Sequence, residues 1–163
     1  LGRNPHSDAV EPLIHLLLND FNGYVRKGVV WALGNSRDRR AVSPLIQALR
    51  TDIPSVRLWS ASSLAQLAVL DYQDVIAAIP PLIVTLLQDP VPTVRSNCAW
   101  AIGQLCRELP LNVVYSNAID ALLESLVEDT DLGVKEDAKQ ALLRLGDSRG
   151  LQTIEQLEIE GLI

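Results

Sequence analysis

Pro12-Leu13-Ile14, then Asp20-Phe21-Asn22-Gly23-Tyr24-Val25-Arg26, then Leu33-Gly34 decide the fold, because versions of all three parts return along the chain. An apolar run ends on a lone acid at Asp20, Asp52, Asp89 and Asp129. A second run then opens on valine plus a base at Val25-Arg26, Val56-Arg57, Val94-Arg95 and Val134-Lys135. The acids stand 32, 37 and 40 residues apart, a period that marks stacked pairs of helices. Each pair can bury its apolar face only against its neighbours, so the expected product is an extended curved surface and the expected function is binding.

Apolar residues at helical spacing predict first helices over 9–18, 41–49, 78–87 and 118–127. Pro12, Pro44 and Pro81 each precede Leu-Ile, and Ala121-Leu122-Leu123 takes their place in the fourth copy. A first helical turn has no acceptor for a proline's missing N–H, so these prolines are expected there. In the second helices, small residues stand four and seven positions after each valine. They are Val29 and Ala32, Ser60 and Ser63, Cys98 and Ala101, Ala138 and Ala141, and they predict close helix approach. Gly28 is expected to tolerate little bulk. Repeats are expected over about 8–36, 40–68, 77–108 and 117–146, with an acidic capping helix at 148–163, all in one domain, 1–163. Longer connections are expected around 71–76 and 109–117, and Leu1-Gly2, which aligns with Leu33-Gly34, suggests a truncated upstream repeat.

The chain has 163 residues, 48% apolar and only 4% aromatic, enough for one buried core. It contains no run of eighteen apolar residues and does not open on a signal-like segment, so a soluble, cytoplasmic protein is expected. Cys98 and Cys106 are eight residues apart in one predicted helix, about 12 Å along its axis and too far for a disulfide. Cys98 falls at a core position, whereas Cys106 is less constrained and open to a metal site shared between molecules. The net charge of −6 divides into +3 over residues 1–60 and −9 over residues 61–163, an asymmetry that steers partners or reflects a merely solvated surface.

This arrangement resembles the HEAT-repeat superfamily, particularly its phycobilisome-lyase-like branch, on the Pro-Leu-Ile triplets, the Asp turns, the Val-Arg openings and the Leu-Gly closures. The resemblance implies a right-handed all-α solenoid of about four helix pairs. Residues 22–40, 95–110 and 160–163 are similar to a cyanobacterial subgroup whose partners are IscA-type iron–sulfur scaffold proteins. The function it implies is a non-enzymatic scaffold or assembly factor in iron–sulfur or photosynthetic cofactor assembly, itself carrying no cofactor. The alternatives are a bilin lyase subunit or phycobiliprotein chaperone, with the tryptophans lining a bilin groove, and a HEAT-like nucleic-acid binder. The acidity of residues 61–163 opposes the last.

Trp31 and Trp100 follow their valines by six residues, about 240° around the helix and roughly opposite the core stripe. They are expected to be exposed, and Trp59 to lie on the flank; the competing outcome is that inter-repeat packing buries the rings. With Lys27, Asn97 and Gln104 they form the expected partner surface. Arg39 and Arg40, in the basic loop 37–40, are read as a grip on an acidic partner or phosphates, or as a solvated loop. Arg26, Arg57 and Arg95 are expected to pair with turn acids or carbonyls. His6 and His15 lack zinc-site spacing, two cysteines cannot hold an iron–sulfur cluster, and no phosphate loop or nucleophile elbow appears.

Overall fold

The computed structural model describes the backbone from Ser7 and side chains from Asp8, through Ile163. His6 and the Leu1-Gly2 correspondence lie outside the described residues. Helices α1 (Ser7–Asn19) and α2 (Gly23–Asn35) form the first pair, and α3 (Val42–Thr51) and α4 (Pro54–Gln66) the second. After a short α5 (Tyr72–Val75), α6 (Ile79–Gln88) and α7 (Pro92–Cys106) form the third. Helices α8 (Val113–Glu128) and α9 (Leu132–Leu145) form the fourth, and α10 (Ser148–Ile159) packs on α9 and α8. The chain is an all-α solenoid, with no strand among the described residues.

The turn acids shape each pair and join it to the next. The carboxylates of Asp20, Asp89 and Asp129 accept the backbone N–H two residues on at 2.8–2.9 Å, and that of Asp52 accepts from Ile53 at 2.7 Å. Asp52, Asp89 and Asp129 each also receive an arginine from the preceding pair. Arg26 donates through Nε and Nη2 to both oxygens of Asp52 at 2.9 and 2.8 Å, and through Nη1 to the Asp20 carbonyl at 2.9 Å. Arg57 repeats this with Asp89 and the Asp52 carbonyl, and Arg95 with Asp129 and the Asp89 carbonyl. These rungs are forked, charge-assisted and largely withdrawn from water, with Asp89 only 5% and Arg57 only 15% exposed. Both expected roles of the arginines therefore occur in every rung.

The second helices α2, α4, α7 and α9 run closely against one another, while α1, α3, α6 and α8 touch their counterparts more sparsely. Unequal spacing bends a stack toward its tighter layer, so the second helices line the inner face. The small residues permit this: Val29, Ser60, Ser63, Cys98, Ala101, Ala138 and Ala141 are buried in the seam. Gly34 lies so near α4 that a Cβ there would meet the Ser63 Cβ at 2.7 Å and its Cα at 2.9 Å. Beside it the Ser63 hydroxyl donates to the Val30 carbonyl at 2.9 Å.

Three local expectations need correction. Pro12 stands inside α1, not in its first turn, because the helix already starts at Ser7. Pro44 and Pro81 do stand near helix starts, each entered through a 3₁₀ turn, 39–41 and 76–78. The connection around 71–76 is mostly helical, with α5 and its following 3₁₀ turn pinning Val75 in the core. The connection around 109–117 is shorter than expected because Asn112 caps α8 through the Tyr115 N–H at 3.0 Å. Tyr115 is buried and its hydroxyl donates to Asp147 at 3.2 Å.

Gly34→Ala and Ala101→Leu should each cost about 1–3 kcal/mol in denaturant melts, since both add bulk where helices already touch. Asp89→Ala should cost about 2–4 kcal/mol by stranding the Arg57 guanidinium. Asp129 lies below the ordinary value of 3.8: burial acts to raise it, but the Arg95 hydrogen bonds, the Asp131 N–H and the Arg95 charge prevail. A depressed carboxylate stabilises the fold above its unfolded pKa, and that contribution is lost as pH falls through the folded value. Stability measured below about pH 4 should therefore fall less steeply in Asp129→Asn than in the unmodified chain.

Candidate functional site

Exposed residues of the inner face stand one helical turn apart on the second helices. On α2, Tyr24, Lys27 and Trp31 share the side turned away from Val30 and Leu33, which are fully buried. Trp31 is 56% exposed and Tyr24 88%. Trp59 rises from α4 beside them, half-buried against the core, and the Lys27 Nζ lies 5.4 Å from its ring centroid. Tyr24, Lys27, Gly28, Trp31 and Trp59 together line an open recess of about 270 Å³.

Gly28 contradicts the expectation of tight packing. A Cβ at this position would meet nothing within 4 Å, because the residue faces the recess and not the seam. The close approach belongs to Gly34, six residues later on another side of α2.

Trp100 lies in a second recess, of about 450 Å³, whose other walls are Ala65, Gln66, Ala68, Val69, Gln104, Arg107 and Glu108. The ring is half-buried, where the sequence predicts exposure. The 3₁₀ turn 67–69 that continues α4 brings Ala68 and Val69 into the same recess, which helical periodicity within α7 alone does not anticipate. Asn97 takes a seam position: its Nδ2 donates to the Leu58 carbonyl at 3.2 Å and the Ser62 hydroxyl at 2.8 Å. Trp31, Trp59 and Lys27 are thus gathered in one recess and Trp100 and Gln104 in another.

Arg39 and Arg40 line neither recess. They sit in the α2–α3 connection, at the helix ends away from the arginine–aspartate rungs. Arg39 is exposed, whereas Arg40 is held by Asp38 at 2.8 Å and Glu11 at 3.3 Å. The Arg40 hydrogen bonds, opposed in part by burial, hold the Asp38 carboxyl below its usual value. Cys106 is as buried as Cys98, so the expected openness to a shared metal site does not survive. Burial pushes both thiols up, Cys106 to about 12, which disfavours the thiolate that metal binding needs. Among the described residues no cluster of three His, Cys, Asp or Glu side chains is placed to hold a metal.

Family models match over most of this array, as HEAT repeats across residues 10–79 and as a HEAT repeat across residues 79–109. Residues 10–109 carry HEAT repeats. A search of curated proteins finds no match. Among solved structures, a designed armadillo repeat protein in complex with the peptide (KR)4 aligns at TM-score 0.68 and 24% identity, over 95% of this chain and 72% of that one. Human deoxyhypusine hydroxylase in complex with glycerol aligns at 0.67 and 24%, over 88% of this chain but 45% of the enzyme. The complex of CpcE and CpcF of phycocyanin lyase from Nostoc sp. PCC7120 aligns at 0.66 and 24%, over 85% and 91%. At these identities the likeness is one of fold.

The recess-lining residues missed in the sequence include Tyr24 and Gly28 in the first recess and Ala68, Val69, Arg107 and Glu108 in the second. Tyr24 is legible afterwards, seven residues before Trp31 and so on the same side of α2. Gly28→Ala should raise stability by about 0.5–1 kcal/mol in thermal melts, since it relieves a mid-helix glycine without a clash.

Proposed function

We propose that this HEAT solenoid is a non-enzymatic scaffold that docks another protein on its inner face. The observation that carries the reading is Trp31, 56% exposed beside Tyr24, Trp59 and Lys27 in a recess on the tightly spaced layer. Interfaces concentrate their energy in such aromatic anchors, and isolated proteins seldom leave clusters of them in water without use. Armadillo-type neighbours that bind peptides support a protein partner at the level of fold. The reading places the protein in the cytoplasm; no helix among the described residues is long and apolar enough to cross a membrane.

For the partner, the resemblance of residues 22–40 and 95–110 favours an IscA-type iron–sulfur scaffold, which would bring all the cluster ligands itself, both cysteines here being buried. A second reading, a bilin lyase subunit or phycobiliprotein chaperone, draws on the likeness to the CpcE–CpcF complex. Nucleic acid is disfavoured by the net −9 of residues 61–163.

Titration with a purified IscA-type scaffold and, separately, a phycobiliprotein separates these readings. Trp31→Ala should weaken binding of the true partner by about 2 kcal/mol with little change in melting. Trp100→Ala should instead cost about 2–4 kcal/mol of folding stability, because its ring packs on the core. An absorbance change on mixing with free bilin would favour the lyase reading, and unchanged binding by Trp31→Ala would contradict the inner-face site.

A further inference from the structure

The Tyr24, Trp31 and Trp59 recess contains one charged group, the Lys27 ammonium, and no carboxylate. No ion pair engages Lys27 among the described residues; its Nζ instead rests 5.4 Å from the centroid of Trp59. A cation over an aromatic face, at the edge of an apolar recess, keeps an electrostatic demand for an anion that a ring only partly meets. The arginines that define the rungs cannot supply or compete for that anion, since Arg26, Arg57 and Arg95 already grip Asp52, Asp89 and Asp129.

Gly28 adds an independent observation. Its Cβ would meet open space, and no left-handed φ is recorded there, so neither packing nor backbone conformation calls for glycine in the middle of α2. What glycine does provide is depth: without a side chain the helix backbone forms the floor of the recess between Tyr24, Lys27 and Trp31. About 270 Å³ receives a large apolar side chain, and Lys27 stands where a neighbouring carboxylate would meet it. The segment that supplies the recess, residues 1–60, carries a net +3 within a chain of net −6.

We propose that this recess takes an acidic, apolar peptide segment of a partner protein, its carboxylate on Lys27 and its adjacent apolar side chain between the Tyr24, Trp31 and Trp59 rings. The inference rests on the inner-face reading above and specifies the chemistry of its partner. It sets this chain apart from the designed armadillo neighbour, whose peptide (KR)4 is cationic. A basic segment would have to displace Lys27 from Trp59 and would find no carboxylate in the recess to replace it.

The test uses the whole chain and dye-labelled peptides read by fluorescence anisotropy. The probes are a heptapeptide of alternating glutamate and leucine, its glutamine and lysine counterparts, and (KR)4. The glutamate peptide should bind, weaken with salt, and exceed the other three by about tenfold or more. Lys27→Glu should remove most of that preference. Gly28→Leu should abolish binding by filling the floor while leaving the melting curve unchanged or raised. Equal or tighter binding of (KR)4, or glutamate-peptide binding indifferent to both substitutions, would overturn the proposal. So would sedimentation showing a dimer of the free chain that Gly28→Leu dissociates, which would assign the recess to a second copy. If a purified partner protein still depends on Trp31 but the glutamate peptide fails to bind, only the ligand class is lost and the inner-face reading stands.

Discussion

The forked arginine–aspartate rung is the contact on which the rest of this solenoid depends. One carboxylate performs two tasks: it holds the tight turn of its own pair by accepting a backbone N–H, and it receives both nitrogens of the preceding pair's arginine. The arginine's remaining nitrogen binds the carbonyl of its own turn. A rung therefore fixes the position of one turn against the next, where apolar packing alone would leave sliding freedom. Lysine at position 135 cannot make a fork, and Lys135 donates instead to the Val127 carbonyl within its own pair at 2.8 Å. At the other end no arginine forks onto the Asp20 carboxylate among the described residues, and Val25 is 37% exposed where Val56, Val94 and Val134 are fully buried.

Rungs at the turns and small residues along the seam act together. With the turns locked, side-chain size on the second helices sets their spacing, and Gly34 against Ser63 shows how far that spacing has been reduced. The bend that follows places the outward residues of α2 and α4 near enough to share a recess, so that Lys27 of one helix reaches Trp59 of the next. A stacked architecture of this kind offers shallow recesses on a continuous surface, suited to recognition by aromatic anchors and a placed charge.

Nearly all of the architecture was legible because it depends on repetition: Asp, Val-Arg and Leu-Gly recur at fixed offsets, and each recurrence checks the others. The rung was legible in kind, since arginines at equivalent positions need equivalent partners. The site was legible only in part. Exposure of Trp31 follows from helical periodicity, but Trp100 holds the same offset from its valine and is half-buried. The difference comes from an irregular 3₁₀ turn after α4, a feature without a repeating signature. Gly28 is ambiguous in the sequence because a glycine in a helix signals either close packing or open space, and only the position of α4 decides between them. Asn97 holds a non-core helical position, and its hydrogen bonds to Leu58 and Ser62 leave no local signal because they cross between repeats, 39 and 35 residues away.

The tightly spaced layer holds Trp31 open to solvent while the other two indoles lean on the core. Single-tryptophan variants, with the remaining two indoles replaced by phenylalanine, test it most directly through emission wavelength and acrylamide quenching. Trp31 alone should emit at the longest wavelength of the three and quench most readily, with Trp59 and Trp100 shifted to the blue and protected. A blue-shifted, protected Trp31 in the free chain would contradict the inner face described here.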